Sequence, residues 1–199
     1  PVSIAVIETL LDIEQSIGKA LTELGYTYDF YDGTFPPNYN VYDVIIQGMD
    51  GGTVTQIPQL AAFINAGGHA IILGGSRYEP FVLDVDAHLL DVDETNYEWT
   101  QVAGTPDITI VNKMHPLSCG LPLTYDFVDS RATYYMLRIV ESVVLVATNG
   151  DGYKAIVSKA LGSGKFTWFI NSPYQAYWLD AGDYNYLKTY LGNAMAWCI

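Results

Sequence analysis

Two hydrophobic periods alternate along the amino-terminal part of the chain. Ser3-Ile4-Ala5-Val6-Ile7 is a short unbroken apolar run, the pattern of a strand covered on both faces. Leu10, Ile13, Ile17, Leu21 and Leu24 then recur at helical spacing, and Gly25 stands where a left-handed carboxy-terminal cap would sit. Residues 26–31 predict a second strand. After the turn-forming stretch Asp32-Gly33-Thr34-Phe35-Pro36-Pro37-Asn38, residues 41–47 predict a third. Ile57, Leu60, Ala61 and Ile64 mark a second helix that stops at Gly67-Gly68. His69-Ala70-Ile71-Ile72-Leu73 follows as a fourth strand, running into Gly74-Gly75-Ser76. Such alternation implies right-handed crossovers. The expected class is a three-layer α/β fold, a mainly parallel sheet with helices on both faces.

The pattern then changes. Residues 97–102, 107–111 and 143–148 read as strands, and residues 153–160 and 165–170 flank Gly162-Ser163-Gly164, a hairpin signal that would extend the sheet with an antiparallel pair. Asn149-Gly150-Asp151-Gly152 and Asp180-Ala181-Gly182-Asp183 read as turns. A last helix aligns Leu187, Tyr190, Leu191, Ala194, Met195 and Cys198 on one face. No repeat of domain size occurs, and a chain of 199 residues is expected to form a single domain, 1–199.

Composition narrows the function. Half the residues are hydrophobic, enough for a sizeable core, while 22 Asp and Glu against nine Lys and Arg leave a net charge of −13. Phosphate backbones and anionic lipid surfaces would repel such a chain, which argues against nucleic-acid binding. The three arginines, Arg77, Arg131 and Arg138, are too dispersed to suggest a phosphate clamp. No apolar run approaches the roughly 20 residues of a membrane span, so membrane insertion is not expected. The first basic residue is Lys19, so the start lacks the charged segment of a signal peptide, and a chain beginning at Pro1 reads as processed or excised. Sixteen tyrosines, few lysines and many Asn, Gly and Asp fit an extracellular or cell-surface protein. Cys119 and Cys198 could pair, closing a loop of about 80 residues worth ~4 kcal/mol, or remain two buried free thiols.

Several segments in order resemble the class I glutamine amidotransferase-like superfamily, and within it the trehalose-utilisation (ThuA-like) branch. They are Leu24-Gly25-Tyr26, Tyr42-Asp43-Val44-Ile45-Ile46, Phe63-Ile64-Asn65-Ala66-Gly67-Gly68, Ala70-Ile71-Ile72-Leu73-Gly74-Gly75, and His115-Pro116-Leu117-Ser118-Cys119-Gly120-Leu121-Pro122. The Gly162-Ser163-Gly164-Lys165 hairpin and the helix through Trp197 complete the likeness, which spans nearly the whole chain. It implies a flavodoxin-like, amidotransferase-like sheet.

The resemblance does not bring the family's catalytic groups with it. That chemistry uses a cysteine on a strand-to-helix elbow, a histidine to take its proton and a glutamate to orient the histidine. After Leu73 the nucleophile position holds Ser76. Beyond residues 166–170 the chain reads Asn171-Ser172-Pro173-Tyr174, with Ser172 and Tyr174 in place of the base and its orienter. A serine with no base is a poor nucleophile. Another histidine could serve: His88 from the acidic segment, or His115, whereas His69 opens the strand and is expected at the opposite edge. Otherwise Gly74-Gly75-Ser76 is a tight turn capping a helix.

Two further clusters stand out. Seven carboxylates lie between Glu79 and Glu98, and Asp84-x-Asp86 and Asp91-x-Asp93 offer the oxygen pairs calcium favours, although the EF-hand pattern is absent. The alternative is a solvated acidic rim. Tyr174, Tyr177 and Trp178 follow a strand at the edge where open parallel sheets place ligands, and they could stack on sugars or anchor an interface. The other reading is that these aromatics pack the last helix on the sheet. Together these features lead to the expectation of a non-catalytic structural or binding module, its partner a carbohydrate, another protein domain or a copy of itself. The alternative is a ThuA-like enzyme or hydrolase acting on a sugar-related substrate, with Ser76, His115 and the acidic segment lining the crevice.

Overall fold

The computed structural model describes residues 1–8, 16–48, 57–74, 89, 107–128, 143–150, 152–170 and 180–199, together with the backbone of 99–104 and 132–137. Eleven strands among the described residues form one sheet. Its main path runs β2 (Asp29–Asp32), β1 (Ile4–Glu8), β3 (Val44–Gly48), β4 (His69–Leu73), β11 (Gly164–Phe169), β10 (Lys154–Leu161), β9 (Val144–Thr148), β6 (Asp107–Ile110) and β7 (Thr124–Asp126). The remaining two, β5 (Trp99–Gly104) and β8 (Ala132–Leu137), pair with each other, and β8 touches β10.

The first five strands of that path are parallel, and every pairing beyond β11 is antiparallel. The expected parallel core is present. Its antiparallel extension is larger than the one hairpin the glycines signalled, because β9, β6 and β7 continue it.

β1, β3 and β4 are runs of Ile, Val, Leu and Ala, and burial on both faces suits them. The helices that cover them are α1 (Ile17–Glu23), α2 (Ile57–Asn65) and α3 (Ala181–Cys198). β1 connects to β2 in one direction along the sheet and β3 to β4 in the other, so right-handed crossovers put α1 and α2 on opposite faces. α3 packs beside α1 and against β4 and β11. Its buried face is the predicted one, Leu187, Tyr190, Leu191, Ala194, Met195 and Cys198, extended by Asp183 and Tyr186.

One expected turn is instead a helix start. Asp180 is the N-cap of α3, its carboxylate accepting from the Gly182 N–H at 2.7 Å. Asp183, in the first turn, is fully buried and accepts from the Tyr125 hydroxyl at 3.0 Å and the Val128 N–H at 3.1 Å. The Asn149 turn is as expected: the Asn149 side chain accepts from the Tyr153 N–H at 2.8 Å and its carbonyl from the Gly152 N–H at 3.0 Å. Gly164 shows why the hairpin needs glycine. A Cβ there would collide with the carbonyl oxygens of Gly68 and Ile64, so the hairpin lies directly on the α2–β4 connection.

Candidate functional site

Open parallel sheets place their ligand crevice beyond the carboxy ends of the strands. Here that edge is built by Glu8, Gly48, Gly74 and Ile170. The ends of β4 and β11 are tied together: Leu73 is in register with Phe169, and the Gly74 N–H donates to the Phe169 carbonyl at 2.8 Å. The Trp168 indole N–H donates to the Gly74 carbonyl, also at 2.8 Å. Gly74 has φ +87°, the left-handed region in which glycine carries no penalty. The two segments compared in the sequence, the one holding Ser76 and the one holding Ser172 and Tyr174, therefore leave the sheet from adjacent strand ends.

Ser76 and His88 themselves lie outside the described residues. So do the contact aromatics Tyr174, Tyr177 and Trp178, and the aspartates Asp84, Asp86, Asp91 and Asp93. Among the described residues no cluster of three or more His, Cys, Asp or Glu side chains is arranged to hold a metal ion. No helix among them is long and apolar enough to cross a membrane.

His115 is described, and its surroundings are specific. It precedes a short 3-10 turn, Pro116–Ser118, and its Nδ1 accepts from the Leu117 N–H at 3.2 Å. Its Nε2 meets the Ser158 hydroxyl at 3.1 Å, and its ring lies 5.7 Å from that of Trp197. Ser158 sits on β10 in register with Thr167, two residues short of the Phe169 level at which β11 ends. The loop is fixed from above as well: the Asn193 amide donates to the carbonyls of Leu117 at 3.0 Å and Cys119 at 2.6 Å. Burial depresses the His115 pKa, so the ring is neutral at physiological pH, as an accepting Nδ1 requires. The His-Pro-Leu-Ser segment is thus a brace between the sheet and α3.

His69 is at the opposite edge, as expected from its place at the start of β4. It lines a cleft of about 600 Å³ with Tyr42, Asp43, Phe63 and the two chain ends, Pro1 and Ile199. Burial, aided by the nearby Lys165 charge, lowers its pKa against the opposing pull of Asp43. The Asp43 carboxyl is itself held low by hydrogen bonds from the Ser3 N–H and hydroxyl, both at 2.8 Å.

The cysteines do not pair. Cys119 is exposed beside the 3-10 turn, whereas Cys198 is buried on the inner face of α3, where its thiol pKa is pushed up to about 12 by desolvation. Of the two sequence expectations for these residues, the disulfide is absent, and only one of the free thiols is buried.

Sequence reasoning missed two polar side chains at the crevice edge. Glu8 ends the apolar run of β1 yet is 3% exposed, and its carboxylate lies where a Cβ on residue 48 would stand, so Gly48 makes room for it. Gln47 is equally buried, and its Oε1 has no hydrogen-bond partner among the described residues. The available signal was a polar residue closing each of two apolar strands.

This architecture has counterparts among solved structures. A glutamine amidotransferase from Thermotoga maritima matches with a TM-score of 0.66 and 10% identity, over 99% of this chain and 97% of that one. A ThuA-like protein from Bacteroides uniformis matches with a TM-score of 0.62 and 12% identity, over 100% of this chain and 91% of the other. An exo-beta-1,4-mannosidase from Opitutaceae bacterium strain TAV5 matches with a TM-score of 0.65 and 11% identity, over 98% of this chain but 35% of the mannosidase. The fold is amidotransferase-like. Identities this low speak to the fold alone. No protein-family model and no curated protein matches the sequence.

Proposed function

We propose that the chain is a non-catalytic module of a secreted or cell-surface protein, made for contact with a carbohydrate, a neighbouring domain or a copy of itself. One observation supports this reading: of the two described histidines, His69 stands at the opposite edge of the sheet and His115 is engaged through both ring nitrogens. A base for Ser76 must come within hydrogen-bond reach, about 2.6–3.2 Å. His69 begins β4, and the far end of that strand, from which the chain leads to Ser76, is roughly 13 Å away at strand rise. His115 has one ring nitrogen committed to Leu117 and the other to Ser158. Moving either would break a brace.

Two further points support a contact role. The mannosidase carries a similar fold as about a third of its length, which suits a module of a larger protein. The sequence also offers Tyr174, Tyr177 and Trp178 just after the end of β11, and exposed aromatic rings stack well on sugars. Calcium held by Asp84, Asp86, Asp91 and Asp93 would neutralise part of the acidic segment beside them. A rise in melting temperature with calcium over chelator is the expected result, and no shift would count against the ion.

The deciding experiment pairs a panel of ester, amide and glycoside substrates with a glycan array. The expected outcome is no turnover by the parent chain, and glycan binding that Trp178→Ala and Tyr177→Ala each weaken. Turnover abolished by both Ser76→Ala and His88→Ala would replace this reading with that of a ThuA-like hydrolase.

A further inference from the structure

The amino edge of the parallel strands has a cleft of its own. Ser3, Asp43 and His69 stand at or just before the starts of β1, β3 and β4. Beside them the cleft of about 600 Å³ is lined by Asn40, Tyr42, Asp43, Phe63, Ala66 and His69, together with the chain ends. That volume falls in the range of small-molecule sites, roughly 300–1,000 Å³. Its walls are fixed from behind. The Tyr42 hydroxyl donates to the Asp29 carboxylate at 2.7 Å and meets the Tyr31 hydroxyl at 2.7 Å. Tyr39 braces Phe63 edge-on, with ring centroids 6.2 Å apart. A Cβ on residue 68 would overlap the Phe63 ring, so Gly68 makes room for it. Walls held this way lose little freedom when a ligand arrives.

The polar groups of the cleft divide into committed and uncommitted ones. Asp43 uses one carboxylate oxygen on the Ser3 N–H and hydroxyl. Its second oxygen, the Asn40 amide and the His69 ring make no side-chain hydrogen bond among the described residues. Burial lowers the His69 pKa, so the ring is neutral at physiological pH, one nitrogen donating and the other accepting. The Asn40 amide likewise offers both. Asp43 accepts only, and it is the one charged side chain among the described residues lining the cleft. It is exposed, so water screens its charge and it serves as an acceptor more than as a trap for a free cation. Two aromatic rings beside groups that donate and accept suit a molecule with an apolar C–H face and a rim of hydroxyls.

We infer that this amino-edge cleft is a binding site for a neutral sugar, a mono- or disaccharide, whose ring lies against Tyr42 and Phe63 and whose hydroxyls bond Asn40, Asp43 and His69. A phosphorylated or acidic sugar would meet repulsion from the Asp43 carboxylate. A simple ammonium ion would engage that carboxylate and leave Asn40 and His69 without a role. Hydroxyls, which donate and accept at once, satisfy all three groups. The site does not rest on the carbohydrate contact proposed for Tyr174, Tyr177 and Trp178, which follow the far end of β11 in the sequence.

The full chain, titrated with D-glucose, D-mannose, D-galactose and cellobiose and followed through the ring proton resonances of His69 and His115, tests this. At least one of these sugars is expected to shift the His69 signals saturably, with a Kd in about the millimolar range, and to leave those of His115 in place. Asn40→Ala, at an exposed position, should raise that Kd about five- to tenfold by removing one hydrogen-bonding group. Ala66→Trp, also at an exposed position, should abolish the shift by filling the cleft, and both variants should melt like the parent. Ethylammonium chloride, a cation without hydroxyls, should leave His69 unmoved. The inference is overturned if no sugar shifts His69 up to about 0.1 M, if Asn40→Ala and Ala66→Trp both respond like the parent, or if ethylammonium moves the His69 signals and the sugars do not. Loss of glycan-array binding in Trp178→Ala with the His69 response intact would support two separate sites.

Discussion

Strands β1 and β3 are buried at every residue and β4 at all but its first, whereas β6 alternates between buried Ile108 and Ile110 and half-exposed Asp107 and Thr109. β9 begins exposed at Val144 and becomes buried only at Val146, and its pairing with β10 shifts register twice. β1, β3 and β4 therefore form a closed core in which each strand is held by two neighbours and two helical layers, with the mostly exposed β2 at its edge. Outer strands of the antiparallel half, β6 above all, have one committed face, and bulges such as those between β9 and β10 can adjust the pairing. Burial on both faces leaves little tolerance for change, while a one-sided sheet can vary its outer face to suit a partner.

Mutations should expose this difference first. Ile46→Ala, at a fully buried position in β3, is expected to cost about 3–4 kcal/mol, a fall of roughly 10 °C in melting temperature for a chain of this size. Val144→Ala in β9 should stay within ~0.5 kcal/mol. Equal losses from the two would break the comparison. Next comes the joint between the halves: Gly164→Ala should cost about 2–3 kcal/mol, because the clash is with backbone and not with a movable side chain. Denaturant midpoints measure both.

A smaller effect sharpens the picture at the seam. The Tyr190 and Thr167 hydroxyls lie 2.8 Å apart, and Thr167 donates to the Val157 carbonyl at 3.0 Å, linking α3, β11 and β10. Tyr190→Phe should cost about 1 kcal/mol, since Thr167 keeps its other bond. Least of all is a pH effect. His69 and His115 both have pKa values below that of an exposed imidazole, so the unfolded chain binds more protons than the folded one once pH falls below about 6.5. Their contribution is fully present above that pH and is lost as pH falls toward the folded-state values. Melting curves between pH 7.5 and 5.5 should slope downward with acid, and His115→Gln should flatten part of that slope.

Legibility followed the same division. His69–Leu73 is the strand the hydrophobic run predicted, and β1, β3 and α2 differ from expectation only at their ends. Continuous apolar burial leaves an unmistakable trace. β7 and β8 went unseen because Thr124–Asp126 is short and mostly exposed, and the run through Ala132–Leu137 lacks turn residues that would set it apart. The start of α3 was legible in principle, since Asp180 followed three residues later by Asp183 is an acidic helix beginning, but the intervening Gly182 favoured a turn. The role of His115 could not be read at all. Its partners Ser158, Asn193 and Trp197 are far along the chain, and only the closing of the sheet brings them together.

The unlike settings of the two thiols have a practical consequence. Alkylating reagents attack thiolates, so exposed Cys119 should be labelled first, while Cys198, the last residue of α3 and on its buried face, waits until that end of the helix opens. The delay between the two labels would time that local opening in an otherwise native molecule, with an internal reference supplied by the same chain.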